Sequence, residues 1–181
     1  APLIARAEAA SLSLVRCPSR DAGALPLLRL GELNLALSDG RCATERAADE
    51  HLESLVLIDL CLDYAETRAI ALSASNATSD TQRKLAAAFF QRLGIDVAWV
   101  DDTPGLVVLR TVAMLANEAA DAVHQGVCSA ADADLAMQAG VNYPRGPLAW
   151  AEALGLAYVH RTLTHLQRSY GQDRYRPAFL L

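Results

Sequence analysis

Along the first hundred residues the apolar positions fall in short runs of branched or alternating character, at 11–16, 33–37, 54–60, 68–74 and 95–100. Runs of this length and rhythm read as strands. Between the last two the rhythm changes to that of a helix. Thr78, Ser79 or Asp80 can cap it, Leu85, Phe89 and Leu93 form a stripe at i, i+4 and i+8, and Gly94 stops it. Ile95, Val97 and Trp99 then alternate into the next strand. Strand, helix and strand at this spacing predict a βαβ unit with a parallel pair, hence a small α/β layer. The stretch 41–53 reads as a further helix.

From residue 101 onward the strand rhythm is absent. Asp102-Thr103-Pro104 supplies a capping side chain just before a proline that suits a first helical turn. The helix expected over 106–125 is apolar on nearly all sides (Val107, Val108, Met114, Leu115, Ala119, Ala120, Val123), which places it in the middle of a bundle. Leu115 is then a core residue whose truncation to Ala costs about 2–5 kcal/mol. Gly126 ends that helix; Ser129 caps a second over 130–139, ended by Gly140; Gly146-Pro147 opens a third; a fourth spans 156–170 before Gly171. The tail 173–177 reads as extended. Two domains follow, 1–100 and 101–181, with the boundary near 100–103.

Composition narrows the function classes. Among 181 residues 52% are hydrophobic and 20% charged, enough for a packed core. The net charge is −5, and of the sixteen cations only Lys84 is not Arg. No basic patch is visible, which argues against nucleic acid and against an anionic membrane surface. No apolar run reaches the roughly 20 residues that cross a bilayer. Cys17, Cys42, Cys61 and Cys128 form no C-x-x-C pair, so they read as reduced, buried thiols of a cytoplasmic protein. The chain lacks an initiator Met and reads as a piece of something longer.

Candidate chemistry is sparse. The first hundred residues hold only Gly23, Gly31, Gly40 and Gly94, with no G-x-G and no Walker-type loop. A dinucleotide site needs clustered glycines for the backbone to approach a pyrophosphate. His160 and His165 stand five apart on one helix, the wrong spacing for a shared metal face, and His124 suits a helix C-terminus. Asp59 and Asp63 are candidate acid–base carboxylates, more simply solvated loop acids; Asp101 with Asp102 is a helix-start pair. The stretch Gly140 to Pro147, a loop confined by two Pro and two Gly, is a rigid interhelical turn or the wall of a ligand cleft or subunit contact.

Four ordered motifs then converge: Asp101-Asp102-Thr103-Pro104-Gly105-Leu106-Val107-Val108, Asn117-Glu118-Ala119, Gly140 to Pro147, and Tyr170-Gly171-Gln172-Asp173-Arg174-Tyr175-Arg176-Pro177. Residues 100–181 thereby resemble the C-terminal helical domain of the 3-hydroxyacyl-CoA dehydrogenases. Residues 66–100 resemble the last βαβ portion of that family's NAD-binding domain, while 1–65 match weakly and are too short for a whole Rossmann domain. The arrangement is similar to that of bacterial 3-hydroxybutyryl-CoA dehydrogenases of the phenylacetate-pathway type, in which a complete dehydrogenase precedes a reduced Rossmann-like domain and a second helical domain.

The resemblance also implies what is missing. Where the family has V-N-R, with an Asn that touches substrate, this chain reads Val108-Leu109-Arg110. Gapless alignment puts Asp59 in the place of the family's base His and Ala71 in that of its orienting Glu; Glu152 stands where Asp is usual. The expected fold is thus a small reduced Rossmann-like α/β domain followed by a helical bundle. The expected function is that of a non-catalytic C-terminal portion of an NAD-dependent dehydrogenase, serving oligomerisation. No catalytic, cofactor or metal site is expected in this segment, NAD belonging to the full-length parent. Partners would be a second copy in a homodimer or the catalytic half. The alternative is a non-catalytic acyl-CoA-binding module. Contacts to acyl-CoA or a subunit fall to Leu109, Arg110, Asn117, Asn142, Tyr143 and Pro144.

Overall fold

The computed structural model describes residues 2–12, 14–17 and 27–181; Gly23, and residue 13 within the first expected strand, lie outside them. The chain divides into two compact units, Ala1–Val108 and Leu109–Leu181.

The first unit opens with α1 (Pro2–Ala9) and β1 (Val15–Cys17), followed by β2 (Leu27–Leu30), β3 (Leu33–Leu37), α2 (Ala43–Asp49), β4 (Val56–Ile58), β5 (Ala69–Ala74), α3 (Asp80–Arg92) and β6 (Asp96–Trp99). The six strands form one mixed sheet in sequence order. β1, β2 and β3 are an antiparallel meander, β3 and β4 pair in parallel around α2, β4 and β5 are antiparallel, and β5 and β6 are the expected parallel pair around α3.

Both faces of this sheet are covered. Leu35, Val56, Ile58, Leu72, Phe89 and Phe90 pack with Leu3 and Ala7 of α1 on one side. Ala36, Leu55 and Leu57 pack with Ala43 and Ala47 of α2 and with Leu106 on the other. Strands buried on both faces read as continuous apolar runs, which is why β3 and β4 are plain in the sequence. α1 and β2 are additions to the expected elements. The expected stripe on α3 is rotated: Ala86, Phe89, Phe90 and Leu93 are buried, while Leu85 is exposed. Spacing of three, four and seven follows the helical period better than the i, i+4, i+8 ladder.

α3 begins with a complete capping box, Ser79 Oγ accepting from the Gln82 amide and the Gln82 side chain accepting from the Ser79 amide. At its other end Arg6 of α1 donates to the Leu93 carbonyl at 2.7 Å and to the Thr67 carbonyl at 2.9 Å. A cation at the negative end of a helix thus fastens α1 to the sheet.

The second unit is helical: α4 (Val108–His124, its first residue in the first unit), α5 (Ala130–Val141), α6 (Pro147–Leu154) and α7 (Leu156–Tyr170), with a short 3-10 turn at Asp173–Tyr175. The last element corrects the reading of the tail as extended. The start of α4 is corrected too. Gly105 and Leu106 hold φ of 75° and 51°, left-handed values that interrupt any helix running on from Pro104. Nor is α4 apolar all round. It buries Leu109, Val112, Ala113, Ala116, Asn117 and Ala120 and leaves Val107 and Val108 exposed and Leu115 half-buried. It is amphipathic, and Leu115 is outside the core. Gly94, Gly126 and Gly171 end their helices at positive φ, whereas Gly140 stays within α5, which Asn142 ends in the left-handed region at φ 58°.

Candidate functional site

A phosphate-bearing cofactor on an α/β sheet is held by free amides where a strand leads into a helix. Among the described residues the first unit has two such turns. At the β3–α2 turn, the Asp102 carboxylate accepts from the amides of Ala43 at 2.6 Å and Thr44 at 2.8 Å, and from the Ser73 hydroxyl at 3.2 Å. The carboxylate therefore stands where a phosphate would, on a residue read from the sequence as starting a different helix. At the β5–α3 turn the donors belong to the Ser79–Gln82 box. Neither turn offers an open pyrophosphate cradle, so the residues present do not fit a dinucleotide.

Asp59 departs from the solvated loop acid expected of it. It ends β4, is 1% exposed, and accepts from the amides of Leu60 at 2.7 Å, Val107 at 3.0 Å and Val108 at 2.8 Å. These bonds cap α4. Asp63, in contrast, is exposed and holds the Ala65 amide at 2.8 Å. Asp59 and Ala71, which the gapless alignment set in the places of the family's base and its orienting acid, are neighbours in the sheet: the Asp59 amide donates to the Ala71 carbonyl at 3.0 Å. One of these side chains is engaged by three amides and the other is a methyl group.

Beside the β3–α2 turn lies a buried ionic cluster that sequence reasoning missed. Arg41 meets Asp39 at 2.7 Å, Asp49 at 3.1 Å and Glu50 at 3.2 Å; Arg46 meets Glu50 at 2.8 Å and Asp39 at 3.7 Å and donates to the Leu37 carbonyl at 2.8 Å. Burial opposes the charge on Arg41, yet the hydrogen bond and attraction of Asp39, aided by Asp49 and Glu50, hold its pKa above the ordinary value. The i, i+4 spacing of Arg46 and Glu50 was the available signal, though it is the spacing of surface pairs as well.

The thiols are half-buried, not buried. Desolvation raises the pKa of both Cys42 and Cys61, outweighing the hydrogen bonds they make, so neither is poised as a nucleophile. His51, His124 and His160 are exposed and His165 half-buried.

The candidate contact residues of the second unit fall into two groups. Leu109 is fully buried. Arg110 donates to the Tyr170 hydroxyl at 2.9 Å, and Tyr170 stacks on Tyr175 with centroids 5.0 Å apart. Asn117 clamps the tail, donating to the Arg176 carbonyl at 3.0 Å and accepting from the Ala178 amide at 2.7 Å. The second group lies apart from these, between α5 and α6. Asn142 is the C-cap of α5, Tyr143 packs its ring on Trp150 at 5.5 Å, and Pro144 is exposed. That turn is further tied by Asp134, whose carboxylate accepts from Leu148 at 2.8 Å and Ala149 at 3.0 Å.

Among the described residues no helix is long and apolar enough to cross a membrane. Residues 35–104 match the family model of the 3-hydroxybutyryl-CoA dehydrogenase reduced Rossmann-fold domain, and residues 105–181 that of the 3-hydroxyacyl-CoA dehydrogenase C-terminal domain. The 3-hydroxyadipyl-CoA dehydrogenase of Escherichia coli (strain K12) is 42% identical over 120 residues, covering 66% of this chain and 25% of that protein. A probable 3-hydroxybutyryl-CoA dehydrogenase of Bacillus subtilis (strain 168) is 34% identical over 105 residues, 58% of this chain and 37% of its own length. The crystal structure of 3-hydroxybutyryl-CoA dehydrogenase from Escherichia coli K12 substr. MG1655 superposes with a TM-score of 0.79 at 36% identity, over 85% of this chain and 32% of that one. The chain thus spans between 25% and 37% of the length of these two curated relatives.

Proposed function

Because the chain belongs to the 3-hydroxyacyl-CoA dehydrogenase family, we propose that it is the C-terminal part of an NAD-dependent, cytoplasmic dehydrogenase of 3-hydroxybutyryl-CoA-like thioesters, and that this part assembles the enzyme without catalysing hydride transfer. The observation that carries the proposal is the Asp102 carboxylate on the first two amides of α2. A negative charge held there at hydrogen-bond distance repels a second anion at the same donors. No step of the reaction is assigned to this segment.

The pair Asp59 and Ala71 supports the same reading. Proton abstraction from a hydroxyl needs a base within about 3 Å of that proton. Asp59 faces three amides of its own chain, and Ala71 has no group with which to orient a base. Retention of both helix framework and strand adjacency, with replacement of the chemical groups, is what a scaffold copy of a catalytic domain would keep. The contacts of Asn142 and Tyr143 are those of a tied interhelical turn, which favours assembly over a retained acyl-CoA pocket.

Incubating the purified chain with acetoacetyl-CoA and NADH is expected to leave the NADH absorbance unchanged. Oxidation that scales with the concentration of this chain overturns the proposal.

A further inference from the structure

We propose that Arg6 is the positioning residue of a relay: its hold on the 64–67 turn carries the docking of α1, through the Tyr64 hydroxyl and the backbone of Asp59, to the cap on the first turn of α4. Every hydrogen bond in the relay lies within the first unit.

α1 has eight residues, fewer than the roughly 12–15 that an isolated helix needs in water. It is therefore helical only while docked. Two buried side chains, Leu3 and Ala7, and the Arg6 guanidinium hold it down. It closes at Ser11, whose φ of 56° is unfavourable for a residue with a Cβ. α1 thus has two states, docked and released, the kind of element that coupling between separate places requires.

In the docked state one guanidinium serves two sites. Nε and Nη2 donate to the Leu93 carbonyl at 3.1 and 2.7 Å. Nη1 donates to the carbonyls of Thr67 at 2.9 Å, Ala65 at 3.1 Å and Tyr64 at 3.4 Å. The rigid fork fixes the distance between the two sites. Leu62, Asp63, Ala65 and Glu66 around this turn are exposed, but Tyr64 packs on the same core cluster as Ile4 of α1. The Tyr64 hydroxyl accepts from the Cys61 amide and donates to the Asp59 carbonyl, both at 3.2 Å. Burial pushes the Tyr64 pKa up, so the hydroxyl keeps the proton that its bond to Asp59 needs. Asp59 in turn presents the carboxylate that holds the Val107 and Val108 amides. Release of α1 frees the turn, and Asp59 loses the support that sets its carboxylate.

Hydrogen exchange at single amides of the whole chain, followed by NMR, tests the relay. Arg6→Ala is expected to speed exchange at Val107 and Val108 by about tenfold or more. Ala43 and Thr44, held by Asp102 at the other turn, should keep their native rates. Tyr64→Phe, which keeps the ring and removes the hydroxyl, should speed the same two amides and leave those of α1 unchanged. In the double variant the two amides should exchange no faster than in the faster single variant, because both changes cut one path. Native rates at Val107 and Val108 in either single variant overturn the relay. Additive effects in the double variant overturn it too, as does equal acceleration at Ala43 and Thr44, the mark of a general loosening. Should Arg6→Ala not fold, Arg6→Lys, which keeps the charge and loses the fork, is read in its place.

Discussion

The two compact units fasten the N-termini of their helices with the same residue type in opposite surroundings. In Ala1–Val108, Asp102 holds α2 and Asp59 holds the start of α4, next to a cluster in which Arg46 and Asp39 are 0% exposed and Glu50 is 1% exposed. In Leu109–Leu181, Asp134 holds α6 in the same manner, but the core behind it is Ala113, Ala116, Ala151, Val159 and Leu163. The first unit has ion pairs inside it, beside the turn into α2; the second has small apolar side chains behind its cap. The same carboxylate device is thus backed by buried charge in one unit and by close-packed apolar side chains in the other, and the two interiors should respond differently to truncation.

The comparison breaks first at Arg46. Arg46→Met removes one member of a cluster whose carboxylates stay buried, and stranding a buried charge costs about 3–5 kcal/mol. Urea unfolding of the variant against the native chain measures it. A loss below about 1 kcal/mol would mean that Arg41 alone can balance the buried carboxylates of Asp39 and Glu50, and the contrast between the units would fail. In the second unit the equivalent test is apolar. Leu163 is fully buried, at 0% exposure, so Leu163→Ala is expected to cost about 2–5 kcal/mol. Leu115→Ala, at a half-buried position, should cost clearly less in the same melt. Equal losses at the two positions would place the core on the wrong side of α4.

Local signals made much of this frame legible. Of the three residues offered as caps of α3, Ser79 is the one that caps it; Ser129 caps α5 as expected, α7 runs over 156–170 and ends at Gly171, and β5, α3 and β6 form the parallel unit that their rhythm implied. What escaped was non-local. Asp102 sits two residues before Pro104, where the local rule assigns it to the next helix, yet its partners Ala43 and Thr44 are 59 and 58 residues away. Asp59 likewise reaches 48 and 49 residues ahead to Val107 and Val108. Arg46 gave no signal of burial within the helix read over 41–53, because burial of an arginine depends on Asp39 and Glu50 converging on it, which periodicity does not encode. The overextended reading of α4 has a similar origin: apolar content was visible, but the left-handed pair Gly105 and Leu106 that resets its start was not.

The finest test of the shared capping device lies at Gly146. This residue is the N-cap of α6, and a Cβ built on it would fall inside the Asp134 carboxyl group. Gly146→Ala must therefore push Asp134 away from the Leu148 and Ala149 amides, an effect worth about 1 kcal/mol when a capping group is lost. Asp134→Ala should lose a similar amount by removing the acceptor outright. The two changes share one interaction, so the double variant should lose less than the sum of the single losses, as coupled neighbours do. Thermal unfolding of the four chains in the cycle decides it. Strict additivity would show that Gly146 is needed for some reason other than room for Asp134, and the parallel with the Asp102 cap on α2 would no longer hold.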